Sequence, residues 1–222
     1  MDDFQSVKVV LLGESGVGKT SIIARFTSNS FDPDCITSLS AQFISKNIAF
    51  PDIGKNIKFD IWDTAGQERY RSLAKIFYKD AKIVIFVYDI TSRKSFEELI
   101  GFWYPTAHSE AETDQIIAVV SNKSDKYDQE NAVPDEEGKE FATKIGAIFQ
   151  STSALSNQGI ETLFRNLGKK VFNPNLDLGE NDKKLKEEYE RKKREEKGKN
   201  KGTIVLSEET NEKNGRKKCC GK

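Results

Sequence analysis

The sequence predicts an α/β fold: a mostly parallel six-stranded sheet with one antiparallel edge strand and helices on both faces. Short apolar runs alternate with stretches of helical spacing, the pattern of a parallel sheet covered on both sides. One pair of runs is separated only by Pro51-Asp52-Ile53-Gly54-Lys55, a hairpin-like turn that makes one edge strand antiparallel. Both patterns stop near Val171. A chain of 222 residues therefore reads as one domain over 1–174 and an extension over 175–222.

In chain order, strands are expected at 7–12, 42–50, 57–62, 83–88, 116–121 and 147–150, and helices at 19–27, 71–78, 95–110, 135–145 and 160–172. The first run breaks into Gly13-Glu14-Ser15-Gly16-Val17-Gly18-Lys19-Thr20, a phosphate-binding loop entered from a strand and left by a helix. Its glycines let successive backbone N–H groups turn inward around a polyphosphate, the helix points its positive end there, and Lys19 adds a full charge. Thr20 offers a hydroxyl to a magnesium ion, and Ser15, Gly16, Val17, Gly18 and Ser21 complete the expected phosphate contacts.

The third run ends in Asp63-Thr64-Ala65-Gly66-Gln67-Glu68, so Asp63 emerges at a strand's carboxyl end beside that loop. An aspartate there can hold magnesium through water. Gly66, lacking a side chain, can bring its N–H to a terminal phosphate, and Gln67 can aim a water at the phosphorus. After the fifth run, Asn122-Lys123-Ser124-Asp125 places Asp125 to accept from a base carrying N1–H and an exocyclic amine. Guanine has that edge and adenine does not. A buried carboxylate left unpaired by the wrong base penalises it heavily. Ser153-Ala154-Leu155 then offers N–H groups to the guanine oxygen. Each segment alone also reads as a polar turn; their order, each at a strand end, argues for one site.

With these residues in place, the chain resembles the small GTPases of the Ras superfamily, and within them the Rab family, over residues 7–171. The Rab-like pieces are Phe59-Asp60-Ile61-Trp62, Arg69-Tyr70-Arg71-Ser72-Leu73, Phe86-Val87-Tyr88-Asp89-Ile90-Thr91 and a terminal Cys219-Cys220. The stretch 36–43 is similar to Rabs of endocytosis and early endosomes. The resemblance implies a P-loop NTPase G domain that binds GTP or GDP with magnesium, hydrolyses GTP slowly with Gln67 as catalytic residue, and recruits effectors in vesicle trafficking. A switch residue closing over magnesium and the terminal phosphate falls on Ser38, where most relatives have threonine. The lost β-branch loosens that side chain, which leaves open a second reading, a GTP-loaded membrane scaffold with negligible hydrolysis.

By the same resemblance, Phe31 lies against the guanine edge, and Asn122, Lys123, Asp125, Ser153, Ala154 and Leu155 serve the base. Leu155 stands where relatives usually carry lysine. Ser15 is small enough to leave room for the attacking water and a partner's arginine. Phe43, Trp62 and Phe77 form the effector platform. The expected partners are an exchange factor, a GTPase-activating protein, a GDP dissociation inhibitor, an escort protein and effectors, with the chain itself a monomer.

The chain carries 35 basic and 35 acidic residues, but from Asn175 on the count is 15 basic to 11 acidic. The stretch 183–201 is nearly all Lys, Arg and Glu and reads as a linker or frayed helix. Arg216-Lys217-Lys218 is placed to meet anionic headgroups. Neutral overall charge argues against a nucleic-acid partner. The cysteines are Cys35 and the terminal pair. No apolar run approaches the roughly 18 residues that span a bilayer, and no signal peptide is evident. Cys219 and Cys220 resemble the dual geranylgeranyl acceptor of Rabs. Two lipid chains convert reversible contact into stable anchoring. The expected location is the cytoplasmic face of endosomal membranes, with a cytosolic pool held by a lipid-shielding partner. His108 is expected at the surface.

Overall fold

Six strands form one sheet in the order β2-β3-β1-β4-β5-β6 in the computed structural model, which describes residues 4–33, 42–64, 78–108, 114–127 and 132–178. The strands are β1 (Gln5–Leu12), β2 (Gln42–Phe50), β3 (Lys55–Asp63), β4 (Ile83–Asp89), β5 (Ile116–Asn122) and β6 (Ile148–Ser151). β2 runs antiparallel to β3, and every other pairing is parallel. The hairpin turn between them closes with Ile53 N–H donating to the Phe50 carbonyl at 3.1 Å. These elements belong to the unit Met1–Leu176, and a second unit comprises Asp177–Lys222.

Side-chain alternation sorts the core onto two faces. Val7, Val9 and Leu11 of β1 join Ile57, Phe59 and Ile61 of β3 on one face, under α1 (Lys19–Ser28) and α4 (Ile160–Phe172). Val10 and Leu12 join Val84, Phe86 and Tyr88 on the other, under α2 (residues 93–108) and α3 (Asp135–Lys144). In α4 the residues Ile160, Leu163, Phe164 and Leu167 are buried at helical spacing, and Phe164 stacks on Phe26 of α1 with centroids 3.5 Å apart.

α2 departs from a regular helix. It starts at Arg93 because Ser92 caps it, its side chain accepting from Ser95 N–H, and it widens into a π-helical turn over Leu99–Trp103 before the α-helical Tyr104–His108. There Tyr104 N–H donates to the Leu99 carbonyl. Pro105 explains the widening: it has no N–H to give, and its ring would crowd the carbonyl four residues back. His108 is exposed, stacked on Tyr104 with centroids 5.2 Å apart.

Of the expected helix at 71–78, all but Tyr78 lies outside the described residues. The other elements fall where the spacing placed them, with ends shifted by one or two residues. The parallel strands bring their carboxyl ends to one edge: Leu11 pairs with Asp63, Asp89 with Asn122 and Ser121 with Ser151. The loops leaving that edge build the site.

Candidate functional site

The loop 13–18 turns on glycines held at positive φ. Gly13 lies at φ 146°, where a Cβ would run into the Val87 carbonyl oxygen. Gly18, at φ 97°, stands at the N-cap of α1 where a Cβ would strike the Asn122 amide. No side chain caps α1, which leaves its first-turn N–H groups to an anion.

Lys19 folds back over this loop, its Nζ donating to the Gly13 and Glu14 carbonyls at 2.9 Å each. Burial pushes its ammonium down to about 8, against the opposing pull of the Asp63 and Glu14 carboxylates. A polyphosphate would supply the missing charge. Thr20 Oγ1 donates to Asp63 Oδ2 at 2.7 Å, and Thr64 Oγ1 donates to the Leu11 carbonyl at 2.6 Å, locking the end of β3 to β1.

A hydroxyl and a carboxylate, both hard oxygen donors, thus meet beside the phosphate loop, with Asp63 buried. Among the described residues no group of three or more His, Cys, Asp or Glu is gathered that could hold a metal. That donor set fits magnesium, which takes one or two protein oxygens and completes its shell with water and phosphate. It does not fit zinc.

At the other end of the site, Asn122 Nδ2 donates to the Val17 carbonyl at 2.8 Å and its Oδ1 accepts from Thr152 Oγ1 at 3.2 Å. One amide therefore joins the phosphate loop to the loops that follow β5 and β6. Lys123, at φ 66°, pairs with Asp89 at 2.6 Å. Asp125 accepts from Ser153 Oγ, which in turn accepts from Ser156 N–H at 3.0 Å. Ser153 and Ala154 are buried, while Leu155 is 54% exposed. Phe31 packs partly buried beside α1.

Phe43 and Trp62 meet edge to face across β2 and β3, centroids 5.3 Å apart, with Phe43 53% exposed. Ser38, Gly66, Gln67, Phe77, Cys219 and Cys220 lie outside the described residues. Three contributors escape a motif reading: Thr152, which holds Asn122; Asp89, which holds Lys123; and Arg25, whose Nε donates to the Ala154 carbonyl at 2.9 Å. Asp89 and Thr152 carried a signal, their places at the ends of strands, whereas Arg25 carried none.

Comparison with known proteins agrees with this arrangement. A sequence model of the Ras family matches residues 8–173. The chain is 40% identical over 166 residues to Ras-related protein RABA4b of Arabidopsis thaliana, covering 75% of this chain and 72% of that protein. It is 40% identical over 166 residues to Ras-related protein Rab11D of Nicotiana tabacum, covering 75% and 73%. With Ras-related protein Rab-25 of Canis lupus familiaris it shares 37% over 172 residues, covering 77% and 79%. Together with the phosphate loop, the Thr20–Asp63 pair and the strand order, these matches place the chain in the Ras family, as a small GTPase of the Rab type.

Proposed function

We propose that this Rab GTPase is a membrane-anchored switch of vesicle trafficking, working in the endocytic system. A G domain over 1–174 binds GTP or GDP, and a tail over 175–222 carries lipid on Cys219 and Cys220. The observation that supports this best is the Thr20–Asp63 contact at 2.7 Å beneath the loop that Lys19 closes, because it prepares a magnesium-dependent phosphate site.

When bound, magnesium supplies charge neutralisation between the phosphates. The chain's own residues do the rest. Ser15 to Thr20 and Ser21 grip the phosphates, Asp125 and the 153–155 loop read guanine, and Phe31 covers the base. Gln67 orients the attacking water. Ser38 and Gly66 are tied down by the terminal phosphate and released once it is lost, so a partner that contacts their loops binds one state better. Effectors read that difference on Phe43, Trp62 and Phe77. An exchange factor and an activating protein set the cycle, an escort protein presents the tail for lipid attachment, and a GDP dissociation inhibitor shields the lipids in a cytosolic pool. Among the described residues no helix is long and apolar enough to cross a membrane.

Single-turnover hydrolysis of magnesium–GTP by the full chain, with ATP as competitor, tests the reading. Slow turnover that Gln67→Leu abolishes, with GTP strongly preferred, is the expected result. Turnover too slow to measure in the wild type favours a GTP-loaded scaffold, and equal binding of ATP overturns the assignment.

A further inference from the structure

Arg25 sits in the last turn of α1, on the helix whose first turn carries Lys19 and Thr20. Its Nε donates to the Ala154 carbonyl at 2.9 Å, its Nη2 to the Leu155 carbonyl at 3.2 Å and its Nη1 to the Asn29 carbonyl at 2.9 Å. The guanidinium carbon lies 5.8 Å from the centre of the Phe31 ring. A rigid planar fork holds two successive carbonyls in fixed directions while its flat face lies toward the ring, whereas an ammonium is a point charge with rotatable donors.

Because a trans peptide points its C=O and N–H in opposite directions, fixing these two oxygens fixes two N–H groups. Anchoring the Ala154 oxygen turns Leu155 N–H away from Arg25. Anchoring the Leu155 oxygen sets Ser156 N–H, which donates to Ser153 Oγ at 3.0 Å, and that hydroxyl donates to Asp125. A continuous chain of bonds thus runs from the phosphate-binding helix to the carboxylate that reads the base.

We infer that Arg25 is a positioning residue for base recognition: it presets the 153–156 loop and the Asp125 carboxylate, and so sets how tightly and how selectively a guanine nucleotide is held. The inference rests on the guanine-nucleotide reading above. It makes the discrimination exercised by Asp125 and the 153–155 loop depend on a residue of α1. Adenine presents an amine where guanine presents its oxygen and lacks the edge that Asp125 reads, so it draws little from the loop that Arg25 sets.

The test compares full-length wild type, Arg25→Ala and Arg25→Lys, each loaded with magnesium and a fluorescent GDP, by release rate and by competition with GDP and with ADP. Thermal unfolding of each protein is followed alongside. Arg25→Ala is expected to weaken GDP about tenfold more than ADP, and Arg25→Lys to fall between it and wild type, since an ammonium still reaches one carbonyl. GDP affinity within twofold of wild type in Arg25→Ala overturns the inference and leaves the guanine reading standing. So does an equal loss for GDP and ADP that follows a lowered melting temperature. Should Arg25→Ala not fold, Arg25→Lys decides: a GDP-selective loss supports the inference, and wild-type selectivity overturns it. A wild type without preference for GDP over ADP overturns the guanine reading itself and the inference with it.

Discussion

Trp103 donates its indole N–H to Glu14 Oε1 at 3.1 Å, linking the π-helical turn of α2 to the phosphate loop. The ring is buried, and the Glu14 carbonyl accepts from Lys19 at 2.9 Å. The π-helical turn therefore lies two hydrogen bonds from Lys19, one through the Glu14 side chain and one through the Glu14 carbonyl. Trp103→Phe removes the donor and keeps an aromatic ring. It is expected to cost about 1.5–3 kcal/mol, the worth of a hydrogen bond to a charged group. Glu14→Gln retains an acceptor and loses less. Urea unfolding of the GDP-loaded proteins measures both, and an unchanged midpoint for Trp103→Phe shows that the link contributes nothing.

Two glycines of the same loop separate steric from conformational demands. At Gly13 an added Cβ meets the Val87 carbonyl oxygen, whereas at Gly16 nothing lies within 4 Å, although its φ is 79°. Gly16→Ala should therefore cost only the left-handed backbone penalty of about 1–2 kcal/mol. Gly13→Ala adds a clash against rigid β4 backbone and should cost more than that. Thermal unfolding of the two proteins ranks them, and equal losses mean that β4 yields.

Much of this site was legible in the sequence because the fold displays its chemistry at strand ends. The run from Val7 to Leu12 and the glycines after it required a strand, a tight turn and a helix in sequence, and those three elements are present. Asp63 and Asn122 were legible because each follows an apolar run. What escaped was long-range. Arg25 bonds to residues about 130 positions away, and Trp103 reaches back 89 positions to Glu14. No local spacing encodes such a meeting. The π-turn of α2 was missed for another reason: helical periodicity dominates the pattern over 95–110, and Pro105 shows its cost only once the preceding turn must fit around it.

Asp60 offers a pH test away from the nucleotide. Burial raises its carboxyl, but hydrogen bonds from Ser45, Ser6 and Lys58 outweigh that and hold it below the usual carboxylate range. A carboxyl lowered in the folded state binds fewer protons folded than unfolded, so its stabilisation is complete above its unfolded value near pH 4 and is lost as pH falls through its folded one. Asp60→Asn should lower stability at neutral pH by about 1 kcal/mol or less, because solvent screens a partly exposed group. It should also flatten the decline below about pH 4. Unfolding midpoints from pH 2.5 to 7 for the two proteins check this, and parallel curves refute it.

Asp125→Asn is expected to rewrite base specificity. Asp125 carries two acceptor oxygens, one of them engaged by Ser153 Oγ, and the 1,2-edge of guanine presents two donors. Asp125→Asn keeps an oxygen for Ser153 and exchanges the other acceptor for a donor, which now faces guanine's amine. That mismatch buries two donors against each other and should weaken GTP by about 10⁴-fold, the order seen when a hydrogen-bonding site meets the wrong analogue. Xanthine carries a carbonyl where guanine has the amine, so the same variant should accept XTP in preference to GTP. Competition of XTP and GTP against a fluorescent GDP, run on wild type and Asp125→Asn, reads the reversal. If the variant still prefers GTP, Asp125 does not contact the base edge, and selectivity must reside in the 153–155 backbone instead.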